Sequence, residues 1–515
     1  MVARQATKLK PNVPGQERLP SVVDEIEQRL ETVDTNCRKK QWEFYLRGKT
    51  SSLLQCERER AALLLDEDTW FTVMRWIGEL SPTNPVQRRL TLLGRRLIPA
   101  QVDCRADVYE LRQQLEQEYL DALPEVDGEC IPWGQFTALL NTHPSRQFRQ
   151  HLWQAQAPIS GQLRAGFLEL VRRRNRWARQ QGYETYIDLV LAPEGLSRDA
   201  VLERYVDLEE ATLDTYKLLL GRIRDRTSPS RLAIWDISYV PQARLGLSDG
   251  ASGFSGGVPD VVALIKALGI SWDTLHYAPE ISERLPYSSF YWAVQAPENV
   301  KLAVSQQQGW SAYIEIARAF GQALVAGFTK QPTYLLRQHA PCYSAGMGAF
   351  LARVAADSSW IRRRRLLPES RRARLDQLSY DLLILRLRYL MALSVFEYHI
   401  YEMPDADLDA IWGEVQEAFL LLPNVPWSGW VVQPEYILRP IHLQYEVIGE
   451  IIASQATNYL NQRFGSLFGN PEVTEFLQQS FYDNGSAHDW VDQVRTATGK
   501  FLSNKALFSE LVGEE

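Results

Sequence analysis

Residues 311–328 read Ser311-Ala-Tyr-Ile-Glu-Ile-Ala-Arg-Ala-Phe-Gly-Gln-Ala-Leu-Val-Ala-Gly-Phe328. Tyr313, Ile316, Phe320 and Leu324 recur at three- and four-residue spacing, the signature of one apolar helical stripe. Glu315, Arg318 and Gln322 fall on another face of the same helix. Ser311 is the expected N-cap, because its hydroxyl can accept from an orphaned backbone N–H. Just upstream, Phe290-Tyr-Trp-Ala-Val294 and Val300-Lys-Leu-Ala-Val304 are short runs rich in aromatic and β-branched residues. With Gln295–Asn299 as the turn, they read as a hairpin feeding the helix.

Outward from this segment the pattern stays helical. Val22–Trp42, Ala62–Leu80, Tyr109–Leu120, Phe148–Trp153, Leu163–Gln181, Arg198–Asp225, Asp376–Tyr401 and Leu443–Phe464 all carry apolar residues at helical spacing. The Gly- and Ser-rich stretch within 245–258 reads as a flexible loop, and residues 1–18 as a flexible tail. Residues 19–515 then form one body. The chain has 515 residues, 45% of them apolar, enough for a large core. Its net charge of −7 speaks against a nucleic-acid partner. No apolar run is long enough to span a bilayer, and the polar start lacks the apolar region of a signal peptide, so a cytoplasmic protein is expected. Five cysteines without a CxxC pair suggest neither a zinc knuckle nor a disulfide framework.

The order and spacing of several segments resemble the gluzincin metallopeptidases, nearest to the angiotensin-converting-enzyme-like and oligoendopeptidase-like groups. In that family a short strand leads into a helix bearing H-E-x-x-H-A-[LQ], whose histidines bind zinc and whose glutamate activates water. Here the segment aligns as Arg318-Ala319-Phe320-Gly321-Gln322-Ala323-Leu324. The third family ligand, a glutamate some two dozen residues further on, falls by count on Gly346. Arg174-Asn-Arg-Trp-Ala-Arg-Gln-Gln-Gly-Tyr-Glu-Thr-Tyr-Ile-Asp-Leu189, Leu208–Thr212 with Tyr216, Arg439–Tyr445 and Gln455–Gly465 are similar to further family segments. In active members the late helix supplies a Tyr or His that stabilises the transition state; Tyr445 is the nearest match and His442 the second.

The resemblance implies a mostly α, two-lobed zincin-like peptidase body with a central channel and a small β-sheet at its rim. It also implies a degenerate zinc motif at Arg318, Ala319, Gln322 and Gly346. An arginine cannot shed its proton to bind a cation, and an alanine cannot act as a general base. No metal and no other cofactor is expected, and no catalytic residue is assigned. Two functions stay open: a catalytically inactive pseudo-peptidase whose cleft binds a peptide or partner segment, or a repurposed metal-free enzyme acting on a small molecule or an acyl or amine substrate. Glu315, Trp310, His442 and Tyr445 are the candidate cleft-lining residues. Arg318 would pair with Glu315, Glu298 or a ligand carboxylate.

Other chemistry is thinly represented. No two of the seven histidines stand at i,i+3 or i,i+4, and His339 with Cys342 is the only pair near the cleft segments. Gly253–Gly257 lacks the strand-and-helix frame of a nucleophile elbow. Arg362–Arg365 is a basic run that could meet an acidic partner. Trp292, Trp310, Trp427 and Trp430 flank the presumed cleft.

Overall fold

The computed structural model of the protein describes residues 13–50, 52–227, 231–237, 239, 254, 256–272, 278–307, 309–372 and 375–513. The protein is mostly α, with a three-stranded sheet and one short hairpin. The helices that build the site are α1 (Leu19–Arg47), α2 (Ala106–Asp121), α3 (Gln156–Gln180), α4 (Trp310–Phe328), α5 (Pro341–Ala356), α6 (Leu375–Glu402), α7 (Pro434–Leu438) and α8 (Leu443–Phe464). The sheet contains β1 (Glu280–Ile281), β2 (Ser289–Gln295) and β3 (Asn299–Val304).

β2 and β3 pair antiparallel, with Phe290 opposite Ala303 and Trp292 opposite Lys301. This is the hairpin expected from the aromatic and β-branched runs. β1 adds a parallel strand to β3 that its two residues do not announce. One face of the hairpin lies on α1: Phe290 packs on Trp42 with ring centroids 5.3 Å apart, and Trp292 donates to the Arg38 carbonyl at 3.0 Å. β3 then runs into α4 through Gly309, whose φ of 100° and ψ of −178° lie where only glycine is unstrained. Gly309, not Ser311, is therefore the N-cap, and Ser311 sits inside the helix. The tight strand-to-helix entry selected for backbone freedom over a side-chain cap.

A second correction concerns Ala62–Leu80. Two helices, Leu53–Leu64 and Glu67–Glu79, meet there. Asp66 splits them by accepting from the Thr69 backbone N–H at 2.8 Å, an N-cap that outweighs the continuous apolar period.

α4 is buried almost all round, from Ala312 to Ala326 apart from Ile314 and Glu315. Such a helix belongs in the centre of a large core. Its apolar stripe packs as its spacing predicts: Phe320 stacks on Trp272 at 4.7 Å, and Tyr313 donates to the Ala355 carbonyl at 3.3 Å. α5 lies so close to α4 and α8 that glycines are obligatory. A Cβ on Gly348 would stand 2.8 Å from the Arg318 carbonyl oxygen, and one on Gly321 2.5 Å from that of Met347. On the other side, a Cβ on Gly346 would stand 2.7 Å from Ile452 Cγ2.

The Arg174–Leu189 segment locks helices together. Arg174 donates to Tyr401 Oη (2.9 Å), Asn175 donates to the Tyr401 carbonyl (2.7 Å), and the Tyr186 N–H donates back to Asn175 Oδ1 (3.0 Å). Most of the expected 245–258 loop and residues 1–12 of the expected tail lie outside the described residues. Phe254 is buried edge-to-face against Trp310 and Tyr313. Among the described residues, no helix is long and apolar enough to cross a membrane.

Candidate functional site

Four helices present one face each to a central cavity of about 1360 Å³. α4 contributes Glu315, Arg318, Ala319, Gln322 and Ala326; α8 contributes Glu446, Glu450, Ser454 and Asn461. Their spacings of one, three, four and seven residues keep each set on a single helical face. α6 adds Arg386 and Tyr389, and α5 adds Arg353 and Ala356. β2 and the preceding loop close one side with Tyr287, Tyr291 and Trp292. The volume exceeds the roughly 300–1,000 Å³ of an ordinary small-molecule site.

The floor is an ion network centred on Glu450, which is 0% exposed. Arg318 Nη1 reaches Glu450 Oε1 at 2.9 Å, Arg386 Nε reaches the same oxygen at 3.2 Å, and Arg353 Nη1 reaches Oε2 at 2.6 Å. Burial pushes the Glu450 carboxyl up, but the three guanidinium groups outweigh it and hold the pKa at about 2. Arg353 also holds Glu510 at 3.0 Å and donates to Ser454 Oγ at 3.1 Å. Arg386 bridges to Glu446 at 3.1 Å and Glu315 at 3.5 Å. Glu446 extends the network to Arg439 at 3.5 Å and His442 at 3.4 Å. Burial first, and Arg439 second, push the His442 imidazole down to about 4. Four arginines (318, 353, 386, 439) thus face four glutamates (315, 446, 450, 510), and the network closes without net charge.

Of the residues singled out from sequence, Glu315, Trp310, Arg318, Ala319 and Gln322 line the cavity together. Arg318 pairs with Glu450, with Glu315 farther off at 3.7 Å. Glu298 instead faces Arg337 at 3.6 Å. Gly346 points into the α8 seam, and Gly348 is the α5 glycine that faces Arg318 and Gln322. Tyr445 is buried outside the cavity wall, and His442 stands behind it, bonded to Arg439 and Glu446. His339 lines the cavity, while Cys342 is buried behind it. Trp292 and Trp310 line the wall; Trp430 is core, packed on Phe167 and Phe396. In the basic run, Arg362–Arg365 are exposed, and Arg364 is paired with Asp260 at 2.8 Å.

The zinc that the family resemblance implies does not fit these residues. Arg318 is a fixed cation tied into the network, Ala319 has no donor, and a longer side chain at Gly346 would meet Ile452. Among the described residues, no group of three or more His, Cys, Asp or Glu side chains is placed to hold a metal ion. Glu450, Glu446, Arg353 and Arg386 were not singled out from sequence.

Glu435, on α7, differs from the other cavity carboxylates. Its Oε2 accepts from Gln433 Nε2 at 2.6 Å, and no basic side chain forms an ion pair with it among the described residues. Burial raises its pKa above the ordinary value.

Solved structures share this architecture over nearly the whole chain. PZ peptidase A, determined with an inhibitor, superposes with a TM-score of 0.71 at 12% identity, covering 98% of this chain and 98% of that one. A Bacillus anthracis protein assigned as an oligoendopeptidase F gives 0.68 at 13% identity, covering 98% and 96%. The structure named BsuCP gives 0.65 at 11% identity, covering 96% and 98%. The fold is that of these oligoendopeptidase- and PZ-peptidase-like proteins. No family model matches the chain, and no curated protein matches it in sequence.

Proposed function

We propose that the protein is a catalytically inactive pseudo-peptidase whose central cavity binds a peptide or a partner segment. The observation that carries this reading is the Arg318–Glu450 pair at 2.9 Å, at the helical position where the family resemblance puts the first zinc ligand. A guanidinium there repels a divalent cation, and its carboxylate partner is already shared among three arginines. The cavity around the pair stays large and is walled by aromatic rings and polar tips, a surface suited to an extended chain.

The test is elemental analysis of the purified protein together with turnover of internally quenched peptides, before and after added zinc. Far less than one metal per chain and no cleavage are expected, with peptide retained on the protein in equilibrium binding. Stoichiometric zinc with cleavage would overturn the reading. A metal-free enzyme has one observation in its favour: Glu435 is a cavity carboxyl whose pKa is raised, a property of general acids. Turnover without metal that disappears in Glu435→Gln would select that alternative.

A further inference from the structure

We propose that Glu435 and Tyr119 form a subsite for a primary ammonium group. The inference rests on the cavity being a ligand site, and it names the chemistry one end of that cavity takes.

The charge balance of the cavity points there. The network around Glu450 pairs its arginines and glutamates completely, so it has no charge left for a ligand. Glu435 stands outside that accounting: among the described residues its side chain forms no ion pair, and its side-chain partner is the neutral amide of Gln433. Arg439, the nearest cation on its own stretch of chain, is engaged by Glu446 and His442. Arg439 acts on Glu435 through space, but no cation among the described residues bonds it, so this half-buried carboxylate faces the cavity as an incomplete pair.

The second observation is independent of charge. Tyr119, on α2, is 0% exposed and lines the cavity, and its hydroxyl has no hydrogen-bond partner among the described residues. Buried hydroxyls are nearly always bonded, so an orphaned one on a cavity wall points to a missing polar partner. Tyr119 and Glu435 face one region because α7 packs against α2; after burial itself, Tyr287 and the Glu435 carboxylate push the Tyr119 phenol upward. Tyr287 and Tyr389 feel the same carboxylate. Tyr389 donates to Gln433 Oε1 at 3.4 Å, so Gln433 is oriented to keep its amide N–H on Glu435.

One carboxylate and a phenol oxygen match an ammonium, which carries three donors and no acceptor. The rings add to the match. Tyr119 stacks on Trp133 at 5.0 Å, and Trp133 donates to the Tyr119 carbonyl at 3.1 Å, fixing the pair as a rigid aromatic wall. The stack fixes the position of the Tyr119 hydroxyl. An anionic group would meet repulsion from Glu435, and a purely apolar group would leave both polar atoms unpaired. The ammonium could belong to a lysine side chain of a bound peptide or to a free polyamine; the chemistry recognised is the same.

Titration calorimetry on the full chain distinguishes the outcomes, with three probes: acetyl-Ala-Ala-Lys-Ala-Ala-amide, the same peptide with its lysine Nε-acetylated, and cadaverine. The lysine peptide is expected to bind at least about tenfold more tightly than its acetylated form. Glu435→Gln should weaken it by about 10- to 100-fold and erase the preference, as loss of a charge-assisted bond does. Tyr119→Phe should weaken it by about 2- to 10-fold. Thermal melting of both variants checks that they are folded. Glu435-dependent binding of cadaverine without binding of either peptide would support the ammonium subsite and remove the peptide reading. Equal binding of the two peptides, or a preference surviving in Glu435→Gln, would overturn the subsite while leaving peptide binding standing. No binding of lysine peptide or cadaverine would overturn it as well.

Discussion

Replacing Glu450 by glutamine tests whether the ion network holds the helices around the cavity together. In the folded protein the Glu450 carboxyl is held at about 2, against an ordinary value of 4.5. At 1.36 kcal/mol per pH unit this gap is worth about 3 kcal/mol of stability at neutral pH. The folded pKa is depressed, so this contribution is complete above about pH 4.5 and is lost as pH falls through the folded value. At pH 3 about 1.5 kcal/mol remains by the same linkage. Glutamine keeps the shape of the side chain and removes the charge, leaving Arg318, Arg353 and Arg386 around a neutral amide. Glu446 is also depressed, after burial is outweighed by His442, Arg439 and Arg386, and contributes its own acid limb. That limb is present in both proteins, so the difference between them is set chiefly by Glu450, together with Arg386, which Glu446 and Glu450 share. Urea denaturation followed by tryptophan fluorescence, at pH 7 and at pH 3, reads this difference from the midpoints. The stability gap between wild type and Glu450→Gln should shrink by about 2 kcal/mol from pH 7 to pH 3. A gap that stays constant within about 0.5 kcal/mol would refute the assignment of Glu450 as the charged centre of the network.

Three further perturbations follow from other parts of the structure. Gly346→Glu, the substitution that would restore a carboxylate at the counted ligand position, should destabilise the fold by about 1–3 kcal/mol through overpacking against Ile452, with no gain of zinc binding in calorimetry. Gly309→Ala should cost at least about 1 kcal/mol in chemical denaturation, because alanine is strained at a φ of 100°. His442 should remain neutral through the physiological range, its imidazole NMR signals titrating near pH 4 and staying flat between pH 5.5 and 8; a midpoint above 6 would mean that burial and Arg439 do not govern it.

The hairpin and α4 were legible because each has a clean local period: alternating aromatic and β-branched residues in β2 and β3, and Tyr313, Ile316, Phe320 and Leu324 in α4. Local capping was legible only in part. Ser311 has the right chemistry, yet the entry angle from β3 demanded Gly309, a tertiary requirement that no cap preference encodes. Asp66 carried a readable N-cap signal that the longer apolar period of Ala62–Leu80 obscured. Within the site, Arg318 could be placed on the right face, but its partner could not. Glu450 lies 132 positions downstream on another helix. A signal for it exists nonetheless. Glu446, Glu450 and Ser454 repeat every four residues between Val447, Ile448, Ile451 and Ile452, a polar stripe on an apolar helix. Arg386 and Arg388 are likewise the only two charges within Leu382–Leu393. Charges set in helices that are otherwise apolar must find partners in the interior.

Gly346 shows where reading by position and reading by packing part company. By count it marks a missing ligand; by contact it is a spacer that lets α5 approach α8, where Gly449 would likewise place a Cβ 2.8 Å from Ala345. The α5 glycine that faces Arg318 and Gln322 is Gly348, and a side chain there would strike the Arg318 carbonyl oxygen at 2.8 Å. At neither of these two glycines does a single substitution rebuild a carboxylate without a clash between the helices. The floor of the cavity is thereby committed to an ion network that is neutral as a whole and rigid because each arginine is shared. A floor that is neutral as a whole confers little charge selectivity on a ligand. Discrimination must come from groups whose needs the protein itself leaves unmet, and on this wall those include the Glu435 carboxylate and the Tyr119 hydroxyl.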